Sequence, residues 1–392
     1  MLDSIYVGMT GLLGYSRGLR VIANNTANIN TPGFKGSTQQ FSDLFYAGGG
    51  SGRSAGQLGY GLNTGNTSLS FRQGDLRQTG NDLDMAVDGQ GLFMLKGNDG
   101  KITYTRAGQF EINADGVLVN KGSGEKVMGL DANGNLTEIT ITNQRTSAGQ
   151  ATKTVKFTGN LSSTATEQTV GAVRVLNAVG GEQILSLKLT KSTDPAKPGA
   201  WRVDLMDGTT VLATGEVVFT DGKPTASTAK VALTYTPTGL PAQSVTMDFS
   251  TDVTSFASGS LSTLAFASQD GFGPGNLTKV SFDATGTMEL KYSNGQTVKG
   301  SQLALGRFDS LDAVAATGDN QFEAVNDRSW QTGKAGSQAF GNVRSGVIEI
   351  SNVDLSQQFS DLVVMQRGYQ ASSQIISTAN EMLQQLFAMR SK

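Results

Sequence analysis

The chain has 392 residues, a formal net charge of −2, and neither cysteine nor histidine. This length is sufficient for two or three domains, because a single core stops growing near roughly 250–300 residues. The missing residue types exclude disulfides, thiol and imidazole catalysis and the usual zinc sites, and the interspersed charges provide no basic stripe for nucleic acid.

The N-terminal segment combines helical spacing with many glycines. We predict an assembly helix over 1–30 with five apolar contact residues: Ile5, Met9, Leu12, Leu19 and Ile22. Glycines stand at Gly8, Gly11, Gly14 and Gly18. Each costs about 1 kcal/mol of helicity relative to alanine, so alone the helix is expected to be marginal or absent. The glycine spacing leaves a shallow side where another helix can approach closely. No basic start or cleavage site of a secretory signal peptide is present.

The stretch NNTANINTPGFKG follows this helix. Short amides there can satisfy backbone groups at a helix end, and the Pro-Gly pair forces a turn. We predict a hinge or linker formed by Asn24, Asn25, Asn28, Pro32, Gly33 and Phe34. A linker or extended segment is expected over 31–70, with the glycine-rich Tyr46 to Gly61 as a mobile loop or extended linker.

The middle of the chain has β patterns. Three hairpins in close succession turn at Asn-Asp-Gly, Asp115-Gly116 and Asn133-Gly134, which predicts an antiparallel inner module over 71–146. Residues 283–343 are expected to complete it. Between them, 147–282 is predicted to be an inserted outer β domain, because apolar residues alternate in it around Leu187, Val203 and Met247.

The C-terminal segment carries the strongest periodicity. Two series of apolar or small residues, which we call seams, each repeat every seven residues. This repeat predicts a coiled-coil assembly helix within 344–392. Its predicted contact residues are Leu355, Leu362, Met365, Tyr369, Ile376, Ala379, Leu383 and Leu386. Asp354 and Gln357 resemble a capping box at its start. The predicted fold class is therefore mainly β and multidomain, with long helices at both termini that pair in a polymer.

No catalytic, metal or cofactor site is predicted. The Asp131 loop begins like a calcium loop, but Leu136 and Thr142 stand where glycine and glutamate are needed, which favours a hairpin turn. Asp82, Asp84 and Asp88 are interpreted as turn residues that flank a strand. We therefore expect a protein that is not an enzyme.

Several segments together resemble a known family. VIANNTANINTPGFKG, GNDLDMAVDGQGLFML, YTRAGQFEINADGVLVN and GVIEISNVDLSQQFSDLVVMQRGYQ are similar, in this order, to blocks of the bacterial flagellar axial proteins of the rod and hook. The resemblance covers both ends and the first β module. The chain departs from the family pattern at Thr26, Gln357, Gln358 and Ser372.

The resemblance implies a structural subunit of an extracellular flagellar tube, exported without a cleavable signal through the flagellar type III apparatus. The implied partners are further copies in a homopolymer and other axial proteins, namely the distal rod, the hook–filament junction and the hook cap, with no nucleic acid and no membrane insertion. The long inserted middle favours the hook branch, whose tube bends while it transmits torque. The alternatives are a distal rod protein and, from another class, a secreted β-rich adhesin.

The apolar seams at both ends generate a first prediction. In the free monomer, limited proteolysis should remove the terminal segments before it cuts a core of about 70–343, because the seams lack the neighbouring copies that complete their burial. Mass spectrometry of the fragments measures this, and equal protection from end to end would contradict it.

Overall fold

The chain begins and ends with a long α-helix, and the regular structure between the two helices is almost entirely β-strand. The computed structural model describes residues 2–44, 46–48, 57–259 and 261–390. Helix α1 spans Leu2–Ala27 and helix α2 spans Leu355–Arg390. The prediction of a mainly β chain with a long helix at each end is confirmed. Neither helix is long and apolar enough to cross a membrane, a finding that concerns the described residues.

The chain divides into two compact units, each containing β structure. The first comprises Met1–Thr142, Val280–Leu290 and Val298–Lys392, and the second comprises Asn143–Lys279 and Lys291–Thr297. Strands of the first stretch are β1 (Ser37–Asp43), β2 (Tyr46–Gly48), β3 (Gln57–Gly59), β4 (Leu62–Leu69), β5 (Leu76–Gln78), β6 (Met85–Asp88), β7 (Leu92–Lys96), β8 (Ile102–Thr105), β9 (Phe110–Ile112), β10 (Leu118–Asn120), β11 (Lys126–Leu130) and β12 (Leu136–Glu138).

The remaining strands follow in chain order. They are β13 (Thr146–Ser147), β14 (Thr154–Asn160), β15 (Glu167–Leu176), β16 (Glu182–Lys191), β17 (Ala200–Asp207), β18 (Thr210–Thr220), β19 (Lys223–Pro224), β20 (Lys230–Tyr235), β21 (Gln243–Thr254), β22 (Ala265–Gln269), β23 (Gly275–Phe282), β24 (Thr287–Tyr292), β25 (Thr297–Phe308), β26 (Val314–Gly318), β27 (Gln321–Ala324), β28 (Trp330–Lys334), β29 (Asn342–Ser345) and β30 (Val347–Glu349). Short 3-10 helices span Leu311–Ala313 and Asp327–Ser329.

The first unit is built on an antiparallel sheet in which β25, β11, β7, β8, β27 and β26 are successive neighbours. The three predicted hairpins are confirmed as the antiparallel pairs β7–β8, β9–β10 and β11–β12. The core beneath this sheet includes Leu92, Met94, Tyr104, Met128 and Phe322. Strands β5 and β6 pair with β30 and β29, so the last strands before α2 lie against strands from early in the chain.

Much of the predicted linker over 31–70 is folded. Strands β1 and β4 form an antiparallel hairpin, from Ser37 opposite Leu69 to Asp43 opposite Leu62. The hairpin packs on α1, where the rings of Tyr15 and Phe41 lie 6.0 Å apart. Within the predicted mobile loop, β2 pairs with β3, and residues 49–56 lie outside the described residues.

The second unit contains two sheets with one apolar core. One sheet has the order β15-β16-β17-β18-β19, and the other has the order β20-β21-β14-β22, in which β14 and β21 are parallel. The predicted alternation is confirmed because Leu187, Val203 and Met247 all belong to the buried cluster. Trp201 also lies in that core, where 1% of its surface is exposed.

Local chemistry explains the start of α2. The Asp354 carboxylate accepts the backbone N–H groups of Ser356 at 2.8 Å and Gln357 at 3.2 Å, which is the bonding of an N-cap. The Gln357 side chain does not return to the cap, because its amide donates to Asp361 four residues on. The predicted helix start is therefore right, but the reciprocal half of the capping box is wrong.

The acidic residues considered in the sequence have structural partners. Asp131 Oδ1 accepts the backbone N–H groups of Asn133 and Asn135 at 2.8 Å each, and the bond from Asn135 lowers the pKa of this carboxyl. This confirms the hairpin-turn interpretation. Asp88 pairs with Arg344 across β6 and β29. Among the described residues, no group of acidic side chains could hold a metal ion.

The core of the second unit generates a prediction. Phe249 is fully buried and stacks on Phe157 with ring centroids 4.9 Å apart. Phe249→Ala should lower the unfolding free energy of this unit by about 3–5 kcal/mol through the lost burial and the cavity left behind. Urea unfolding followed by Trp201 fluorescence in a Trp330→Phe background measures it. Leu261→Ala is the matched control, since Leu261 is 77% exposed, and equal shifts would contradict the assignment.

Candidate functional site: the paired terminal helices and their anchor

Glycines of α1 allow α2 to approach closely. A Cβ added at Gly8 would lie 2.8 Å from Ile376 Cγ1, one at Gly11 2.6 Å from Ser372 Oγ, and one at Gly18 2.9 Å from Met365 Sδ. The positions rise along α1 as they fall along α2, so the helices are antiparallel. The prediction that the spaced glycines form a shallow docking side is confirmed, because a Cβ at any of these positions would overlap an α2 side chain and force it to shift.

Two further glycines complete the fit in different ways. Gly368 of α2 receives the Tyr15 ring, and a Cβ there would lie 2.4 Å from Tyr15 Cζ. Gly14 does not face α2, because its nearest neighbours are Leu62 and Phe41 of the β1–β4 hairpin. Helix α1 therefore lies against two elements, and its glycines serve both contacts.

Most of the predicted helix residues face the pair, and some do not. Buried or half-buried residues are Ile5, Leu12, Leu19 and Ile22 of α1 and Leu362, Met365, Ile376, Ala379 and Leu383 of α2. Exposed residues are Met9, Leu355, Tyr369 and Leu386. Two polar residues, Gln358 and Ser372, are buried although neither was among the predicted contact residues. Both are among the departures from the family pattern, and both lie at the helix interface.

Polar bonds fix the register of the pair at its inner end. Asn25 Nδ2 donates to Gln358 Oε1 at 2.9 Å and to the Ser37 carbonyl at 2.7 Å, while Asn25 Oδ1 accepts the Ser37 N–H at 3.0 Å. Asn25 thus joins α1, α2 and β1, and all of its side-chain polar atoms are satisfied. Because Asn25 is 3% exposed, losing any of these bonds would leave a buried polar group unpaired.

The rest of the asparagine-rich segment closes the helix end and places the chain on the β domain. Asn28 Nδ2 donates to the Asn24 carbonyl at 2.9 Å, which satisfies a carbonyl of the last helical turn as the sequence predicted. Asn320 Nδ2 donates to the Pro32 carbonyl at 3.1 Å. Gly33 has φ of 71°, and a Cβ there would lie 2.4 Å from the Ala107 backbone nitrogen, so only glycine fits. Phe34 is half-buried.

A buried charge cluster anchors both helices to the first unit. Lys35 Nζ lies 2.5 Å from Glu349 Oε1, and Arg106 Nη1 lies 3.1 Å from Glu349 Oε2. The side chains of Lys35 and Glu349 are fully buried, and that of Arg106 is 2% exposed. We call Lys35, Arg106 and Glu349 the anchor. Lys35 follows α1 and Glu349 precedes α2, so the anchor joins the chain segments that carry the two helices.

Backbone groups complete the anchor. Glu349 Oε1 also accepts the Gly74 N–H at 2.8 Å, Lys35 Nζ donates to the Arg72 carbonyl at 2.9 Å, and Arg106 Nη2 donates to the Gly89 carbonyl at 2.6 Å. Burial lowers the pKa of Lys35 and of Arg106, and in both cases the carboxylate of Glu349 opposes the shift. Glu349 is therefore the charge that makes burial of the two cations possible.

Sequence reasoning missed the anchor. Its members lie far apart in the chain and each is an isolated charge, so no spacing rule connects them. One weak signal exists at Glu349, which ends the short strand β30 before α2 and is flanked in sequence by Ile348 and Ile350. A charged residue among apolar neighbours in a strand suggests a buried pair, but it does not identify the partner.

Comparisons with known proteins match the same segments. Three family models align in chain order: "Flagella basal body rod protein" at residues 5–35, "Flagellar hook protein FlgE/F/G D1 domain" at 86–162, and "Flagellar basal body rod FlgEFG protein C-terminal" at 344–389. The first covers most of α1 with the asparagine-rich segment, and the last covers α2 with Glu349. The fold and these matches support an axial protein of the bacterial flagellum.

Relatives of full length specify the branch. The chain is 29% identical to the flagellar hook protein FlgE of Borreliella burgdorferi over 100% of both chains, and 29% identical to that of Salmonella typhimurium over 97% of this chain and 98% of the relative. The crystal structure of Helicobacter pylori flagellar hook protein FlgE2 shares the fold, with a TM-score of 0.51 and 14% identity over 68% of this chain and 99% of that one. These comparisons support a flagellar hook protein, and the rod alternative is less favoured.

The anchor generates a prediction. Glu349→Gln keeps the shape of the side chain but removes its charge, which leaves two buried cations uncompensated. The unfolding free energy of the first unit should fall by about 3–5 kcal/mol, measured by urea unfolding with Trp330 fluorescence in a Trp201→Phe background. Glu323→Gln is the control, because Glu323 pairs with the exposed Lys101 and its loss should change little. Equal effects of the two substitutions would contradict the anchor.

Proposed function

We propose that copies of this chain polymerise through their terminal helices into the curved, flexible tube of the flagellar hook, which joins the rod to the filament and transmits torque. One observation carries this proposal: the paired helices still expose many large apolar side chains. Apolar surface of this extent on an element without a further partner indicates an interaction site, and a second copy is the partner that a homopolymer supplies.

Five of the exposed apolar residues of α2 share one face of the helix. Val364, Ile375, Met382, Leu386 and Met389 are spaced by eleven, seven, four and three residues, which places them on one face of the helix. We call these five residues the outer stripe. It lies about a quarter-turn from the face that packs on α1, since Met365 and Ile376 each follow a stripe residue by one position. Pairing with α1 therefore satisfies one face of α2 and leaves the other for a neighbour.

Helix α1 contributes a matching apolar face. Tyr6, Met9 and Leu13 are exposed at helical spacing. Because Gly8 lies against Ile376 in an antiparallel pair, the last turns of α2 extend about two turns beyond the start of α1. The exposed Leu386, Phe387 and Met389 lie in that extension. A neighbouring copy would bury these residues, which ties completion of the helix pair to assembly.

The asparagine-rich segment is proposed to act where the helices meet the tube wall. Two of its predicted hinge residues, Asn24 and Asn25, lie in the last turn of α1, and Asn25 is restrained there by bonds to both Gln358 and Ser37. The other four stand between α1 and the anchor. We therefore propose that flexing is confined to residues after Asn25, such as Asn28 and Phe34. Backbone exchange that is faster at residues 28–34 than at 22–26 would support this placement.

The remaining partners and the alternatives follow from the family. We propose contacts with the distal rod, the hook–filament junction proteins and the hook cap at the ends of the tube, export through the flagellar type III apparatus without a cleaved signal, and no catalytic activity. A rod protein is the nearest alternative, and a straight polymer would indicate it. An adhesin would need surface aromatic residues in the second unit, whereas Trp201 lies in its core.

Substitutions on the two faces of α2 test the proposal. Leu386→Asp places a charge in the outer stripe and should abolish tubes while the monomer keeps its helix content by circular dichroism. Ile376→Asp faces Gly8 and should lower helix content as well as abolish tubes. The control Gln384→Asp adds the same charge at an exposed polar position in the same turn and should assemble normally. Tubes are scored by electron microscopy, and normal tubes from Leu386→Asp would refute the stripe.

A further inference from the structure

A basic cavity lies between α1 and the β1–β4 hairpin. Its volume is about 480 Å³, and Arg17, Arg20 and Asn24 of α1 line it together with Gln39 and Asn66 of the hairpin. Arg17 donates to the Thr64 hydroxyl, and both arginines are exposed. No described carboxylate forms an ion pair with either of them. The cavity therefore presents two guanidinium groups and several amides to a ligand that accepts hydrogen bonds.

An acidic loop lies at a second cavity of the same unit. Asp309, Asp312 and Leu311 line it with Gln40 and Ser68 of the hairpin, and its volume is about 980 Å³. Asp309 is already paired with Arg307, but the exposed Asp312 carboxylate has no partner among the residues that the structure describes. Leu311, beside it, is 49% exposed. The loop combines a free charge with an apolar side chain on the short 3-10 helix Leu311–Ala313.

We infer that the Leu311–Asp312 loop of one copy binds the Arg17–Arg20 cavity of the next copy, in a head-to-tail contact. This inference rests on the proposed polymer. The two surfaces are different patches of one chain with opposite charge, and such a heterologous contact can repeat without closing, as an open helical assembly requires. A self-complementary patch would instead close a two-fold dimer.

Charge complementarity selects a second copy as the occupant. Within one chain, neither arginine pairs with Asp312 in the part of the chain that the structure describes, although both surfaces include Asn66 and Thr67. The loop offers a carboxylate to the guanidinium groups, which bind carboxylates in planar, two-bond geometry. In this contact, Leu311 would pack against the apolar side chain of Val21, which lines the cavity.

Charge reversal in each surface tests the contact. Arg20→Glu and Asp312→Lys should each raise the critical concentration for tube formation at least about tenfold, because like charges would face each other across the interface. An equimolar mixture of the two variants should recover assembly, since every contact in an alternating row then joins opposite charges. Lys121→Glu and Asp115→Lys are matched controls at exposed turn positions of the same unit, and each should assemble like the unmodified chain.

Each outcome distinguishes this inference from the proposed function. Assembly of both variants at the unmodified critical concentration would overturn the contact and leave the polymer intact. Two impaired variants without rescue in the mixture would overturn head-to-tail pairing in particular. If the unmodified chain itself forms no tubes, the proposed function fails before the contact is tested. Circular dichroism and urea unfolding of each variant exclude misfolding as the cause of impaired assembly.

Discussion

The first unit depends on the two ion pairs that the buried carboxylate of Glu349 forms. Two cations, Lys35 and Arg106, lie within hydrogen-bond or ion-pair distance of it, and all three side chains are shielded from water. Burying an ion without a partner has a desolvation penalty of several kcal/mol, so the cations are tolerable only while Glu349 is in place. Lys35 comes from the segment after α1, Glu349 from the strand before α2, and Arg106 from the end of β8. The two termini of the chain are thereby joined at one point on the β domain.

This constraint determines how a weak helix can form. The four glycines of α1 that face α2 or the hairpin lower its intrinsic stability by about 1 kcal/mol each relative to alanine. Three of them nevertheless allow the close approach of the helices, because α2 side chains fill the space that a Cβ would occupy and would have to shift to admit one. The anchor and the Asn25–Gln358 bond hold the start of the pair in register. Helix α1 is therefore expected to be stable only as part of the pair, and this conditional stability is compatible with the proposed export of the chain before assembly.

The sequence predicted the fold class and the role of the helix faces, but it did not predict how the ends are joined. Periodicity placed α2 and the turn residues placed the three hairpins, because both signals come from residues close together in the chain. Spacing alone could not show that Gly14 lies against Leu62 rather than against α2. Glycines at helical spacing mark a side open to close approach, but they do not identify the element that packs there. The anchor could not be predicted at all, because Lys35 and Glu349 are 314 positions apart. The folding of residues 37–69 into a hairpin could not be predicted either. Its strands are polar and contain glycine, so they lack the alternation of apolar and polar residues that identifies a buried face.

A tube that bends while it transmits torque needs contacts of two kinds. Apolar side chains such as those of the outer stripe interdigitate and resist displacement, so contacts between α2 helices would keep the wall of the channel continuous. Charged groups such as Arg20 and Asp312 still attract each other when the planar pair between them is displaced, since the Debye length is about 10 Å at 0.1 M salt. The first unit carries both kinds on separate surfaces. Because the stripe lies on α2, whereas the inferred charged contact joins the Leu311–Asp312 loop to the cavity between α1 and the hairpin, the proposed polymer would let neighbouring copies shift at the charged contact while the stripe stays buried.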